Sequence, residues 1–228
     1  MGESLYPVPV PNPLRAVLWD MDGTIVDTEP FWIRAETALV ERFGGTWSRE
    51  QGLTLVGRGL EDSAGILQRA GVRLSVPDIV DTLTDDVIGM LREGLPWQPG
   101  ALELLRALRD AGVPTALVTM SVRRMAEAIA AAIPFDAFDA VVSGTDATRP
   151  KPFPDAYLQA AALLDVDPAE AVAIEDSPTG LASAAAAGAI VVGVPHLVPL
   201  PEGRWSVWPT LAGRTVADLE ALVAGVAA

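Results

Sequence analysis

Short apolar runs alternate with helical segments along most of the chain, and this alternation restricts the fold more than any other feature. Repeated strand and helix patterns are typical of βαβ units, whose parallel strands form a sheet with helices on both faces. The sequence therefore predicts an α/β protein with a doubly wound parallel sheet. The predicted strands are residues 16–19, 115–118, 140–142, 171–174 and 189–194, and the predicted helices between them are 102–110, 122–131, 154–164 and 178–187.

Residues 29–96 differ from the rest, because helical periodicity runs through them with no strand pattern in between. The clearest helical segments there are 61–69 and 77–91. An inserted, all-helical cap is the simplest explanation for this change of pattern. We therefore expect a flexible Pro-rich leader over residues 1–15, a Rossmann-like core formed by residues 16–28 and 97–228, and a helical cap over residues 29–96.

The composition favours a folded domain and excludes several classes of function. Half of the 228 residues are hydrophobic, which is enough to form a core. With 16 Lys and Arg against 30 Asp and Glu, the net charge of −14 repels nucleic-acid backbones and anionic lipids. The chain has no cysteine, so disulfides and thiolate sites are excluded. Prolines near the N-terminus do not fit a signal peptide. We expect a cytoplasmic monomer or weak homodimer without nucleic-acid or membrane partners.

Polar clusters follow four predicted strands, at the point where each strand ends. The carboxyl ends of parallel strands lie at the same edge of a sheet, so we expect these clusters to meet there. Several of the side chains are carboxylates, which are ligands that Mg²⁺ prefers. The clusters are Asp20-Met21-Asp22-Gly23-Thr24, Thr119-Met120-Ser121, Lys151-Pro152 and Glu175-Asp176-Ser177.

The segments DMDGTIVDTEP, VTMS, KPFPD and IEDSPTG together resemble the four ordered motifs of the haloacid-dehalogenase-like hydrolase superfamily. The resemblance covers about residues 16–194. It is strongest to the branch with a helical cap after the first motif, which includes small-molecule phosphatases and β-phosphoglucomutase. It implies a Mg²⁺-dependent phosphomonoester hydrolase that acts on a small phosphorylated metabolite through an aspartyl-phosphate intermediate. One such motif is a weak signal, whereas four in this order are specific.

The resemblance also implies a role for the matched residues. Asp20 would be the nucleophile, and Asp22 would protonate the leaving oxygen and then activate water. Asp176 would ligate Mg²⁺ together with Asp20 and the backbone carbonyl of Asp22, with Glu175 as a further candidate ligand. Thr119 would hold the transferred phosphoryl group through its hydroxyl and its amide.

Lys151 is the only lysine in the chain, against fifteen arginines. An ammonium group can contact both a nucleophilic carboxylate and a phosphoryl oxygen, and so offset the charge that develops during phosphoryl transfer. Its place in KPFPD favours this role over that of a surface lysine. The residues that we expect to contact the substrate are Gly23, where the backbone can turn close to a phosphate, Thr24, Ser121 and Arg58.

Each cluster also has a purely structural interpretation. Asp-x-Asp-Gly is common in turns after strands, and Ser177 before Pro178 is a favourable helix start. Ser121 is equally well explained as a helix cap. The joint presence of four motifs favours the catalytic interpretation for Asp20 and Asp22, and a cap at Ser177 is compatible with it. The single histidine, His196, is assigned no role.

The presence or absence of particular residues indicates which activity of this superfamily the chain is expected to have. The cap lysine of its phosphonate hydrolases is missing, and the acids that its dehalogenases lack are present. A β-phosphoglucomutase-like mutase stays an alternative, because residues 55–63 resemble its cap loop. However, Trp32 replaces the mutase histidine, and Leu60 stands where an arginine grips a second phosphate, with Arg58 two residues earlier. We expect a phosphatase. A catalytically silent phosphate- or partner-binding domain is the alternative of another class, and the intact motifs disfavour it.

Overall fold

The computed structural model describes residues 14–56, 58–91 and 94–226, so nearly all of the expected leader lies outside the described residues. The strands are β1 (Ala16–Trp19), β2 (Thr115–Val118), β3 (Ala140–Val142), β4 (Ala171–Glu175), β5 (Ile190–Gly193) and β6 (Ser206–Val207). The helices are α1 (Glu29–Arg42), α2 (Arg49–Leu53), α3 (Leu60–Arg69), α4 (Val76–Leu91), α5 (Ala101–Asp110), α6 (Arg123–Ala132), α7 (Asp155–Leu163), α8 (Pro178–Ala186) and α9 (Val216–Val226), with a 3₁₀ helix at Pro168–Glu170. Over the described ranges, no helix has both the length and the apolar character needed to cross a membrane.

The strands form one parallel sheet in the order β3-β2-β1-β4-β5-β6. Val17 of β1 pairs with Thr115 of β2 on one side and with Val172 of β4 on the other. The predicted doubly wound, Rossmann-like α/β fold is therefore confirmed. Because the strand order reverses at β1, the carboxyl end of β1 faces the crevice where such sheets bind their ligands.

Strand β1 is buried on both faces, which explains its uninterrupted apolar sequence. Ala16 and Leu18 pack in the layer that contains α7 and α8, while Val17 and Trp19 pack in the layer on the opposite face. All four side chains are fully buried. Burial of a side chain such as Leu18 contributes about 1.5–3 kcal/mol, so β1 is firmly anchored where the chain enters the site.

The structure differs from the predicted elements in a few places. Strand β4 extends to Glu175, and β5 is shorter at both ends than predicted. Helices α2 and α9 and strand β6 were not predicted. Helix α2 has only five residues and begins with a capping box between Ser48 and Gln51. Helix α9 follows reciprocal hydrogen bonds between Thr215 and Asp218. Helix α2, with five residues, and strand β6, with two, carry too little periodicity to stand out in the sequence.

The segment assigned to the cap contains only helices among its described residues, α1 to α4. They pack against one another, and Leu39, Leu67 and Leu83 are buried among them in a hydrophobic cluster that continues to Val17 and Trp19 of β1. The chain leaves and re-enters the sheet domain through two adjacent segments, where Val26 forms an antiparallel bridge with Trp97. We propose residues 29–96 as a cap on these grounds.

An ion pair also links α4 of the proposed cap to α6 of the core. Arg124 Nη1 lies 2.7 Å from Asp81 Oδ1, and Arg124 Nη2 lies 3.3 Å from Asp85 Oδ1. These side chains are largely exposed, and exposed ion pairs contribute only about 0–1 kcal/mol. The contact therefore orients the two parts without locking them together.

Gly100 tests how tightly the C-terminal segment packs against the start of α5. Its φ is +87°, and an added Cβ would lie 2.2 Å from the carbonyl oxygen of Leu211. Alanine would add this clash to the cost of a left-handed backbone, about 1–2 kcal/mol. We expect Gly100→Ala to lower the free energy of unfolding by clearly more than Gly112→Ala, where φ is +69° and no atom lies within 4 Å. Urea unfolding measures both losses, and equal losses would contradict this packing.

Candidate active site

The four polar clusters meet at the carboxyl edge of the sheet, as predicted. A cavity of about 120 Å³ lies there between the strand ends and helices α1 and α3. Asp20 and Asp22 follow β1, Lys151 comes from the loop after β3, and Asp176 follows β4. Most of the predicted site residues line this cavity: Asp20, Asp22, Gly23, Arg58, Thr119, Ser121, Lys151 and Asp176.

Asp20 is nearly buried and has a partner on each carboxylate oxygen. Lys151 Nζ donates to Oδ1 at 2.7 Å, and Thr24 Oγ1 donates to Oδ2 at 2.9 Å. Desolvation by burial, together with the nearby charge of Glu175, raises the pKa of Asp20 to about 7, although the charge of Lys151 acts in the opposite direction. The two donors fix the orientation of a carboxylate that is also chemically accessible from the cavity.

Lys151 lies between Asp20 and Glu175, and its side chain is only 6% exposed. Its ammonium donates to Asp20 Oδ1, to Glu175 Oε1 at 2.6 Å and to the Val118 carbonyl at 3.0 Å. Although burial alone would lower the pKa of Lys151, the charges of the two carboxylates raise it above its usual range. The group is therefore a permanent cation in direct contact with the expected nucleophile.

Glu175 is completely buried and does not line the cavity. Its Oε1 accepts hydrogen bonds from Lys151 and from Tyr157 Oη at 2.7 Å, and its Oε2 accepts one from Ser177 Oγ at 3.1 Å. Both oxygens are thus already engaged, so the expected role as a metal ligand fits less well than a role in holding Lys151. No sequence motif indicated Tyr157, because it comes from the middle of helix α7.

Asp22 is held by three hydroxyl groups. Thr28 Oγ1 donates to Oδ1 at 2.5 Å, while Ser121 Oγ and Thr119 Oγ1 donate to Oδ2 at 2.8 and 3.2 Å. The end of β1, the start of α1 and the loop after β2 therefore cooperate to place one carboxylate at the cavity wall. The sequence did not indicate Thr28, although it lies within the segment DMDGTIVDTEP.

Two expected substrate contacts have different roles in the structure. The Thr119 amide donates to the Val142 carbonyl at 2.9 Å, so it is not free to bind a phosphoryl group as expected; only its hydroxyl faces the site. Thr24 is buried and does not line the cavity. It contacts Asp20 instead of the substrate. Both differences arise because the sheet and the turn use polar groups that the motif alone leaves unassigned.

The carboxylates of the core fit a divalent cation. Asp20, Glu175 and Asp176 each place an oxygen within 4.8 Å of the others, and Lys151 is the only cation paired with them among the described residues. Burial and the charge of Asp20 raise the pKa of Asp176 well above its usual range. A divalent cation would relieve this repulsion, and hard oxygen donors suit Mg²⁺. Gly23, with φ +88°, permits the arrangement, since an added Cβ would lie 2.0 Å from Asp176 Oδ2.

Two acidic residues that the sequence did not single out lie on the cap side of the cavity. Glu29 and Glu36 line it, together with Trp32, Leu60 and the exposed Arg58. Burial raises the pKa of Glu29 to about 8 and that of Glu36 to about 7. For Glu29 the negative charge of Glu36 acts in the same direction, whereas for Glu36 a hydrogen bond from Trp47 acts against the shift.

His196, to which the sequence assigned no role, also lines the cavity. Its Nε2 lies 3.0 Å from Asp27 Oδ1, but the two atoms are not aligned for a hydrogen bond. The contact joins the loop after β5 to the segment where the chain enters the cap.

A family model described as haloacid dehalogenase-like hydrolase matches residues 14–188. This range is more than half of the chain and includes all four motifs. The chain belongs to this family. The protein is accordingly a hydrolase that acts on phosphoric monoesters, as its phosphatase relatives are.

Individual members of the family show how similar this chain is to characterised proteins. Hexitol phosphatase B of Escherichia coli K12 is 30% identical over 225 residues, covering 94% of this chain and 96% of the relative. The β-phosphoglucomutase of Bacillus subtilis is 29% identical over 195 residues, covering 82% of this chain and 86% of the relative. The crystal structure of a CbbY variant from Rhodobacter sphaeroides with xylulose 1,5-bisphosphate is 27% identical, with a TM-score of 0.82, covering 90% and 99% of the two chains.

Substitution of Lys151 tests whether this cluster is the active site. Lys151→Ala leaves Asp20 and Glu175 without their buried cation, so we expect kcat/KM to fall at least about 100-fold. Lys151→Arg should restore little, because a planar guanidinium does not fit a site built around a point charge. Arg149→Ala is the matched control, since Arg149 forms an exposed ion pair with Asp155 in the same loop. Steady-state kinetics that show equal effects for Lys151→Ala and Arg149→Ala would contradict the assignment.

The raised pKa of Glu36 predicts that the stability of the folded protein depends on pH. Burial raises its pKa from 4.5 to about 7, so the folded protein keeps the proton at pH values where the unfolded chain has lost it. Ionisation therefore favours unfolding as the pH rises through this interval. We expect Glu36→Gln to stabilise the protein at about pH 8 relative to about pH 5, by up to about 2–3 kcal/mol. Urea unfolding measures the difference; Glu41→Gln, an exposed change on the same helix, should show none. If the difference in unfolding free energy between wild type and Glu36→Gln does not change with pH, ionisation of the buried carboxylate is not its cause.

Proposed function

We propose that the protein is a Mg²⁺-dependent phosphatase of a small phosphorylated metabolite and that it acts through an aspartyl-phosphate on Asp20. The observation that carries the proposal is the buried contact between Asp20 and Lys151, in a cavity that Asp22 also lines. A carboxylate that is oriented by an ammonium and a hydroxyl is suited to attack phosphorus. A second carboxylate on the same cavity wall is suited to handle the proton.

In the first step, a carboxylate oxygen of Asp20 forms a bond to phosphorus while the bond from phosphorus to the ester oxygen breaks. Asp22 gives its proton to that oxygen, and the substrate leaves as an alcohol. Lys151 offsets the charge that develops on the transferred group, and Thr24 keeps the other Asp20 oxygen in place.

In the second step, water replaces the alcohol. Asp22, now ionised, takes a proton from the water, whose oxygen bonds to phosphorus while the bond from phosphorus to Asp20 breaks. Inorganic phosphate leaves, and both carboxylates return to their starting states. The hydroxyls of Thr28, Thr119 and Ser121 keep the Asp22 side chain in one orientation throughout both steps.

We propose that Asp20, Asp176 and the backbone carbonyl of Asp22 would hold Mg²⁺. The ion would supply positive charge that allows a carboxylate to approach a phosphate dianion. Glu175 lies within the same acidic group, but its hydrogen bonds favour a role in positioning Lys151.

Three cap residues that line the cavity help to distinguish a mutase from a phosphatase. Arg58 lines the cavity and could contact a second phosphate, which favours the mutase. Trp32 and Leu60 also line it, and they support the phosphatase, because an indole only donates a hydrogen bond and a leucine cannot hold a dianion. With no group to activate a sugar hydroxyl at these positions, water is the favoured acceptor.

The proposal is tested by assaying phosphate release from p-nitrophenyl phosphate and from a panel of sugar, polyol and nucleoside phosphates. We expect release with Mg²⁺, none with excess chelator, and none from Asp20→Asn, which keeps the shape of the side chain without its nucleophilic oxygen. Acid-quenched wild-type protein should carry one phosphoryl group in its mass spectrum, and Asp20→Asn should carry none. Unchanged turnover by Asp20→Asn would refute the mechanism. If glucose 6-phosphate forms from β-glucose 1-phosphate faster than free phosphate appears, the mutase replaces the phosphatase.

A further inference from the structure

The cap side of the cavity contains acidic side chains that the phosphatase chemistry does not use. Glu29 and Glu36 lie about two turns apart on one face of helix α1, and both line the cavity. In the described part of the chain, neither forms an ion pair with an arginine or with Lys151. Their carboxyl groups are therefore available to whatever occupies the cavity beyond the phosphate, and both are charged once the pH exceeds their raised pKa values.

Glu36 is held rigidly, although it is remote from the phosphoryl-transfer groups. It is only 4% exposed, and Trp47 Nε1 donates to its Oε2 at 3.1 Å. No described residue donates a hydrogen bond to Oε1, the oxygen left for a ligand. Buried polar groups normally have their hydrogen bonds satisfied, so an oriented carboxylate at a cavity wall is suited to a substrate donor.

We propose that Glu29 and Glu36 form a subsite that accepts hydroxyl groups and thereby selects a polyhydroxylated substrate with a single phosphate and no second anionic group. The inference rests on the phosphatase function proposed above and specifies the class of substrate. Glu29 and Glu36 act here as specificity-determining residues, and the reacting groups remain those of the core.

Charge is the reason that the subsite would reject a second anion. Both groups are ionised only above about pH 8, once the raised pKa values of Glu29 and Glu36 have been passed. There, a phosphate or carboxylate at the far end of the substrate would approach two carboxylates in a partly buried cavity, where repulsion is much stronger than in water. Arg58 is the one cation on the cap side of the described cavity, but it is exposed and its Nε is already bonded to the Thr54 carbonyl at 2.7 Å. Hydroxyl groups, by contrast, can donate to both glutamates without adding charge.

The remaining lining of the cap side suits the carbon chain of a polyol. Trp32, Leu55, Leu60 and Leu83 supply apolar surface beside the two glutamates. Ligand sites commonly combine such apolar walls with a few placed polar groups, which fix the orientation of the ligand. A ligand with alternating C–H surface and hydroxyls matches this combination, whereas a flat, purely apolar ester would leave the glutamates unpaired.

The test uses four phosphomonoesters with the Mg²⁺-loaded enzyme, at a pH above the raised pKa values of Glu29 and Glu36. The four are a hexitol 6-phosphate, phosphoglycolate, phosphoethanolamine and p-nitrophenyl phosphate. We expect wild-type enzyme to prefer the hexitol phosphate. Glu36→Gln keeps the size of the side chain and an acceptor for Trp47, but removes the charge. It should lower kcat/KM for the hexitol phosphate about 10- to 100-fold, mainly through KM, the loss expected for a hydrogen bond to a charged group. Glu29→Gln should act in the same direction.

The direction of the change on other substrates separates selection from a structural role. Both variants should lower kcat/KM for the hexitol phosphate relative to that for p-nitrophenyl phosphate and should raise kcat/KM for phosphoglycolate, because the repulsive charge is gone. Glu41→Gln, an exposed change on the same helix, should alter none of the four rates. General damage to the cap would lower every rate together.

Several results would overturn the proposal. Wild-type preference for phosphoglycolate or a bisphosphate would show that the subsite accepts anions, and preference for phosphoethanolamine would show that it binds an ammonium group. An unchanged KM for the hexitol phosphate in both variants would remove the glutamates from recognition. If wild-type enzyme releases phosphate from none of the four esters, the proposed phosphatase function itself fails, which is distinguishable from each of these results.

Discussion

The buried contact of Lys151 with Asp20 and Glu175 is the interaction on which the rest of the site depends. Three carboxylates lie close together in a desolvated place, and one ammonium is paired with two of them. Breaking a buried pair by removing one partner typically costs about 3–5 kcal/mol, because the remaining charge is left uncompensated. The lysine thus has two consequences: it allows the acids to be buried together, and it places a positive charge beside the nucleophile.

The order of the strands brings this group together. β1 supplies Asp20 and lies between β2, whose last carbonyl binds Lys151, and β4, which ends in Glu175. Residues that are more than 150 positions apart, such as Asp20 and Glu175, therefore become neighbours through two adjacent strands. Because β1 is buried on both faces, the geometry at its carboxyl end is fixed by packing well away from the cavity.

In our proposal, the sheet domain carries out the chemistry and the cap selects the substrate. The groups proposed for phosphoryl transfer all come from the sheet domain, while the cap contributes apolar side chains, Glu29, Glu36 and Arg58 to the opposite wall of the cavity. A phosphate bound at the sheet would position the rest of the substrate against the cap. Relatives of comparable similarity include a hexitol phosphatase and a β-phosphoglucomutase.

The sequence by itself determined the alternating fold, the bounds of β1, β2 and β3, and the meeting of four polar clusters, because these features follow from local periodicity and from the common edge of parallel strands. Only the tertiary structure decided how individual polar groups are used. The Thr119 amide is taken by β3, Thr24 turns toward Asp20, and Glu175 holds Lys151 with Tyr157 as an additional donor. Such roles depend on which donor and acceptor become neighbours after packing, and spacing along the chain does not encode that choice. The same holds for Glu36, which is an ordinary helix residue in the sequence and becomes part of the cavity wall only when helix α1, packed against α4, lies beside the carboxyl edge of the sheet.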